Sequence, residues 1–179
     1  MRYVSIAVIF LFNFLLPTTT FATLASPSDT EQLAPPLLHI TWTQFHQDVK
    51  ELADLLKTKA PKEGWKSIVA ITRGGLVPAG ILSHELKIKQ IDTIGFGSYH
   101  NKEKKSLTVF KPFASHEKNI IVVDELSDSG GTMKAAQKYI PNAYRVVVYT
   151  KPEGKDAVNL FVKEIPQNVW VVFPWEVDD

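Results

Sequence analysis

Two stretches of this 179-residue chain set reactive side chains beside glycines. The longer is Asp124-Glu125-Leu126-Ser127-Asp128-Ser129-Gly130-Gly131-Thr132. It begins with adjacent carboxylates, which repel each other and need a cation or hydroxyl donors to settle. The part from Asp128 to Thr132 is small or hydroxylated and runs into a helix-like segment. Small residues let backbone N–H groups converge on an anion, Ser and Thr add hydroxyl donors, and a helix N-terminus adds a favourable dipole. A carboxylate pair followed by a phosphate cradle suits a phosphorylated sugar whose hydroxyls, or a bound metal, meet the carboxylates. The shorter stretch is Thr72-Arg73-Gly74-Gly75, a cation next to two glycines. Neither has the Gly-Lys-Ser/Thr of a Walker loop or the spacing of a GxGxxG turn. Taken alone, the longer stretch also fits an acidic strand end followed by a helix capped at Ser129 or Thr132.

The surrounding pattern says what must hold these loops. Thr41 to Leu56 predicts a helix, with Thr41 and Gln44 as a capping box and Phe45, Val49, Leu52 and Leu56 at helical spacing. Ile68-Val69-Ala70-Ile71 and Ile120-Ile121-Val122-Val123 are short continuous apolar runs, the mark of strands buried on both faces. Leu76 to Leu86, after an opening turn with Pro78, and Thr132 to Tyr139 read as helices. Ile91 to Tyr99, Leu107 to Phe110, Arg145 to Tyr149, Leu160 to Val162 and Val169 to Phe173 read as strands, with the charged run Lys102-Glu103-Lys104-Lys105 as a loop between the first two. Strands alternating with helices predict an α/β fold around a mainly parallel sheet flanked by helices. Both reactive stretches then fall just past strand C-termini, where open α/β sheets bind ligands.

Composition narrows the chemistry. Lys plus Arg number 20 and Asp plus Glu 19, a net charge of +1, which lacks the basic footprint of a general nucleic-acid binder. There is no cysteine, so disulfides, Cys-ligated zinc, iron–sulfur clusters and thiol nucleophiles are excluded. The five histidines, His39, His46, His84, His100 and His116, show no close metal-ligand spacing and read as surface or packing residues. Residues 1–22 differ from the rest. Arg2 precedes an apolar run from Val4 to Leu16, and Thr20 and Ala22 supply small residues, a pattern of a signal-like or membrane-anchoring segment. The run is shorter than the roughly 20 residues that span a bilayer. Residues 23–36, with Pro27, Pro35 and Pro36, read as a linker, and the folded domain is expected over 37–179.

Val122-Val123-Asp124-Glu125-Leu126-Ser127-Asp128-Ser129-Gly130-Gly131-Thr132 resembles the diphosphosugar-binding signature of type I phosphoribosyltransferases. Ile71-Thr72-Arg73-Gly74-Gly75-Leu76-Val77-Pro78 resembles their pyrophosphate loop, and Thr150-Lys151-Pro152 their purine-reading lysine segment. Ile165-Pro166-Gln167-Asn168-Val169-Trp170, continuing to Pro174-Trp175, resembles their C-terminal base-binding segment. Four motifs in order over residues 37–179 are most similar to the bacterial xanthine-guanine branch.

The resemblance implies a parallel sheet with a small C-terminal base-binding hood. It implies purine salvage: transfer of phosphoribosyl from phosphoribosyl pyrophosphate to guanine, xanthine or hypoxanthine, with Mg2+ as cofactor and a homotetrameric assembly. It casts Asp124 and Glu125 toward the ribose diol and the metal, with Glu125 on the metal side. The run Leu126, Ser127, Asp128, Ser129, Gly130, Gly131 and Thr132 becomes substrate-binding, its part from Asp128 onward around the 5-phosphate, and Asp128 also serves as general base. Arg73 and Gly74 hold pyrophosphate, Lys105 in a mobile charged loop closes over it, and Lys151 donates to the 6-oxo group. Trp170 stacks on the purine, and the Trp170 and Val171 carbonyls receive the 2-amino group.

The sequence also departs from that family. Glu125 stands where a second Asp is usual and is one methylene longer, which bears on metal geometry. Lys105 replaces an Arg, keeping charge but losing bidentate phosphate binding. Two alternatives therefore stay open beside the transferase: a non-catalytic nucleotide sensor on the same fold, and a transferase for another purine base. Trp42, Trp65 and Trp175 read as core or interface residues. Because phosphoribosyl pyrophosphate is cytosolic, the domain is expected in the cytoplasm, either free or peripherally associated with the inner membrane, with export through residues 1–22 as the alternative.

Overall fold

The computed structural model describes residues 34–101 and 104–176, and the side chains of these except at 98–106. The segment 1–22, most of the linker, Lys102, Glu103 and the Lys105 side chain lie outside the described residues. Among the described residues no helix is long and apolar enough to cross a membrane.

Among the described residues, eight strands and three α-helices follow the order β1 (Leu37–His39), α1 (Trp42–Thr58), β2 (Ser67–Thr72), α2 (Leu76–Glu85), β3 (Gln90–Asn101), β4 (Lys104–Lys111), β5 (Ile120–Ser127), α3 (Gly131–Tyr139), β6 (Tyr144–Thr150), β7 (Leu160–Glu164) and β8 (Trp170–Val172). A six-stranded sheet has the order β4-β3-β2-β5-β6-β7. All its neighbours are parallel except the β3–β4 hairpin. The mainly parallel α/β fold is therefore as expected.

The apolar runs alternate between two cores. Ile68, Ala70, Ile121 and Val123 join Phe45, Val49, Leu52 and Leu56 of α1 and Ala79 and Leu82 of α2 on one face. Val69, Ile71, Ile120 and Val122 pack with Met133 and Ala136 of α3 on the other. Period-2 alternation with both faces covered explains why these strands read as unbroken hydrophobic runs. Pro78 sits inside the first turn of α2 rather than before it, where its missing N–H would have no helical partner anyway.

Two local expectations are corrected, and one strand is new. Thr41 does cap α1, accepting from the Gln44 amide at 3.1 Å, but the Gln44 side chain turns forward to Asp48 Oδ1 at 2.8 Å instead of back to Thr41. Asp48 is buried and also accepts from Tyr149 Oη at 2.6 Å and Lys163 Nζ at 2.6 Å. Burial, and then the Asp48 carboxylate, push the Tyr149 hydroxyl well above the usual tyrosine range, so it stays a donor. The charged run is not wholly a loop, since Lys104 and Lys105 already belong to β4 and pair with Asn101 and His100. Leu37 begins a strand that the sequence pattern did not announce.

That strand, β1, forms a separate two-stranded parallel sheet with β8. The C-terminal segment is anchored by aromatic packing: Phe173 stacks on Trp175 at 4.8 Å, and Trp175 meets Phe45 edge-on at 4.7 Å. Trp65 packs against Tyr144 at 5.3 Å and donates to Leu56 O. Trp42 lies 5.7 Å from Trp175 and is half exposed. His39, His46, His84 and His116 are on the surface.

Candidate active site

Strands β2, β5 and β6 are adjacent and parallel, so Thr72, the stretch from Asp124 to Ser127, and Thr150 emerge at the same end of the sheet. The two reactive loops and the Lys151 segment are thereby brought side by side. The peptide between Thr72 and Arg73 is cis, and the Arg73 side chain is exposed at this edge.

The loop after β5 folds around a cavity of about 120 Å³ lined by residues 126–133. Its helix cap is neither Ser129 nor Thr132. Gly130 takes the position in the left-handed region, φ 77°, and no side chain caps α3. A Cβ at Gly130 would also meet Ala157 Cβ at 2.7 Å. The first amides of α3 have no intrahelical partner, and with no side-chain cap they face the loop, the arrangement that receives an anion. The Ser127 hydroxyl points elsewhere, donating to Gly154 O at 3.0 Å.

The carboxylate pair is tightly enclosed. Asp124 is buried, and burial, followed by the charge of Glu125, pushes its carboxyl well above the usual carboxylate range; the amides of Glu125 and Gly75 pull the other way. The Glu125 carboxyl reaches across to the second loop and fills the space where a Cβ on Gly74 would stand. Its Oε2 is buried with no hydrogen-bond partner among the described residues. An unpartnered buried carboxylate oxygen beside a second carboxyl is an oxygen-only donor set that fits a hard cation. No group of three His, Cys, Asp or Glu side chains gathers among the described residues. Two carboxylates suffice for Mg2+, which takes one or two from protein and the rest from phosphates and water.

A second cluster lies one step further along. Lys151 follows β6, and its side chain is 5% exposed. Its Nζ pairs with Asp128 Oδ2 at 2.8 Å, while Asp128 remains half exposed. Gln167 donates to the other carboxylate oxygen, Oδ1, at 2.7 Å. The Gln167 carbonyl accepts from the Glu153 amide at 3.1 Å, at the start of a short 3-10 helix, Pro152–Ala157. Gln167 belongs to the C-terminal motif, which by itself assigns it no task. Its amide between two charged residues and a helix start has no local signature.

Trp170 is 59% exposed on β8, and Val171 is buried. Trp170 N donates to Pro36 O at 2.8 Å and Ile40 N to Val172 O at 2.9 Å. Trp170 and Val172 therefore turn their peptide groups into the β1–β8 ladder, and Val171 turns its carbonyl away from β1. This leaves the Val171 carbonyl, rather than that of Trp170, directed out of the ladder. Lys105 is placed only by its backbone, on β4 near the hairpin end.

The chain is similar to known proteins over the region that carries this site. A family model described as the phosphoribosyl transferase domain matches residues 41–179. A xanthine-guanine phosphoribosyltransferase of Roseobacter denitrificans is 39% identical over 149 residues, covering 78% of this chain and 85% of the relative. Among solved structures, a Helicobacter pylori xanthine-guanine-hypoxanthine phosphoribosyltransferase superposes with a TM-score of 0.66 at 27% identity, covering 79% of this chain and 94% of that one. A purine phosphoribosyltransferase from Pyrococcus horikoshii superposes at 0.69 with 25% identity, covering 80% and 96%. Since the matched region runs from the cap of α1 at Thr41 through both loops to the C-terminus, the chain belongs to the phosphoribosyl transferase domain family.

Proposed function

We propose that this protein salvages 6-oxopurines, transferring phosphoribosyl from phosphoribosyl pyrophosphate to guanine or xanthine, and to hypoxanthine, with release of pyrophosphate. The observation that carries the reading is the Lys151–Asp128 pair at 2.8 Å, beside an uncapped helix start. It presents a donor and an acceptor next to each other. That matches the 6-oxo acceptor and the N7–H donor on one edge of a 6-oxopurine. Adenine offers an amino donor where Lys151 also donates, so two donors face each other and the base is rejected.

In this reading the 5-phosphate lies on the free amides of α3 with the Ser129 and Thr132 hydroxyls. Arg73 and the Gly74 backbone hold the pyrophosphate, with Lys105 closing from the hairpin. Asp124 and Glu125 face the ribose diol and the cation. Glu125, together with oxygens of the diphosphate, would hold Mg2+, which when bound would neutralise the charge of the leaving pyrophosphate. As purine N9 bonds to C1′, the C1′–oxygen bond breaks and its electron pair leaves with pyrophosphate. Positive charge develops on the ribose and on the purine imidazole ring. Asp128 stabilises it and accepts the N7 proton. Trp170 covers the purine face, and the Val171 carbonyl takes the 2-amino hydrogen of guanine.

The relatives named above support the purine class, and the order of preference among the bases is the finer part of the proposal. Residues 37–179 form the catalytic domain, behind the linker 23–36 and the signal-like or membrane-anchoring segment 1–22. The proposal places the domain in the cytoplasm, free or associated with the inner membrane, as a homotetramer. The direct test is pyrophosphate release by the full chain with guanine, xanthine, hypoxanthine and adenine in turn. Turnover with the first three and none with adenine is expected. Stoichiometric ligand binding without pyrophosphate release would reject the enzyme in favour of a sensor.

A further inference from the structure

We infer that Gln167 is a positioning residue, whose side-chain amide sets the plane of the Asp128 carboxylate and ties it to the base-binding segment. The inference rests on Asp128 acting as proposed above, and it assigns a task to a residue outside that set.

Asp128 stands half exposed on a loop, so its carboxylate can turn about its last bond unless something holds both oxygens. Lys151 holds one of them, Oδ2 at 2.8 Å. A lysine ammonium is a compact charge on a flexible stem and imposes little direction. It fixes where one oxygen is, not which way the carboxylate faces. Gln167 supplies the second point at Oδ1, 2.7 Å away.

The Gln167 amide is itself held at both ends. Its nitrogen must face the carboxylate and its oxygen must face the Glu153 N–H, because each neighbour can bond in only one sense. A flipped amide would place oxygen against carboxylate oxygen. The planar group is thus wedged between the phosphate loop and the start of the 3-10 helix, in a single orientation. Two donors on two different oxygens define a plane, and each oxygen keeps a lone pair for an incoming proton.

The position of Gln167 along the chain adds a second consequence. It lies three residues before Trp170, in a turn closed by the Val169 N to Pro166 O bond at 3.1 Å. Its bonds to Asp128 and to the Glu153 N–H are in place with no base present. The base-binding segment and the Asp128 carboxylate are therefore held in one fixed relation before a purine arrives.

The test is a double-mutant cycle of Gln167→Met and Asp128→Asn in the full chain. It is read as the single-turnover rate at saturating substrates and, separately, as guanine affinity from quenching of tryptophan fluorescence. Gln167→Met keeps length and volume but donates nothing. It is expected to slow the single-turnover rate roughly ten- to a hundredfold, as a misplaced reacting group does. Guanine affinity should change by less than about threefold, and the melting temperature should hold. In the Asp128→Asn background, already slowed by about 10²–10⁴-fold, Gln167→Met should add nothing further. A full extra loss in that background, or an unchanged rate in the single variant while Asp128→Asn is slow, overturns the positioning role and leaves the Asp128 assignment standing. A wild-type rate in Asp128→Asn overturns both.

Discussion

The contact between Glu125 and Gly74 joins the two reactive loops and makes a sharp prediction. Glu125 is one methylene longer than aspartate, and its carboxyl occupies the place a Cβ on residue 74 would take. In Gly74→Ala the carboxyl must withdraw by roughly one carbon–carbon bond, about 1.5 Å. Because the obstructing group is the end of a flexible side chain, the cost is that of forcing it off its rotamer, about 0.5–1.5 kcal/mol. Alanine also restricts the unfolded chain and so returns about 0.4–1 kcal/mol. The melting temperature of the single variant therefore moves little, and a cycle is needed to expose the clash. Glu125→Asp shortens the side chain by just the missing distance. In that background Gly74→Ala should keep its entropic gain and lose its clash. The coupling should be about 0.5–1.5 kcal/mol, or roughly 1–6 °C for a chain of this length. Gly75→Ala is the control. A Cβ there meets backbone, Val123 O together with Ile71 O at 2.6 Å and Ile71 N at 2.8 Å, and no side chain can move aside. It should cost about 1–3 kcal/mol or more, whatever residue 125 is. Thermal unfolding of the six proteins without magnesium measures both. Equal effects of Gly74→Ala in the two backgrounds, or rescue of Gly75→Ala by Glu125→Asp, would refute the argument.

Lys151→Met keeps the buried stem but removes the donor to the 6-oxo group. It should weaken guanine binding by about 1.5–3 kcal/mol and relax discrimination against adenine; unchanged selectivity in competition assays would count against the Lys151–Asp128 reading. Trp170→Ala should cost roughly 1–3 kcal/mol of purine affinity if the ring stacks on the base, and calorimetry with no change would remove it from the site. Tyr149→Phe takes one of three donors from the buried Asp48. It should destabilise the fold by about 1.5–3 kcal/mol while leaving guanine selectivity intact, so a wild-type urea midpoint would contradict the network. Asp124 has a folded pKa above its unfolded value of about 3.9. The protonated carboxyl therefore contributes stability that is complete below that value and lost as pH rises through the folded one. In magnesium-free urea titrations Asp124→Asn should match wild type near pH 4 and exceed it increasingly toward neutral pH. A gap that is constant, or that widens on acidification, would reverse the sign.

Local sequence carried the features that depend on neighbours along the chain. Unbroken runs such as Ile120 to Val123 mark strands covered on both faces, and Phe45, Val49, Leu52 and Leu56 repeat at the spacing that turns one helical face inward. The carboxylates of Asp124 and Glu125 and the small residues up to Thr132 were equally legible. Adjacency in sequence places them on one strand end and one loop in any parallel α/β arrangement. Other features depend on distance through space. Gln44 leaves the capping box because Asp48 is buried, and Asp48 is buried among Tyr149 and Lys163, 101 and 115 positions away. The pairing of β1 with β8 joins the two ends of the described chain. It turns the Val171 carbonyl outward while the Trp170 peptide group enters the ladder. Lys151 and Gln167 reach Asp128 across 23 and 39 positions, as the sheet order puts β6 beside β5. Hydrogen bonds act over about 3 Å, and which polar groups come that close is set by strand order and packing rather than by local pattern.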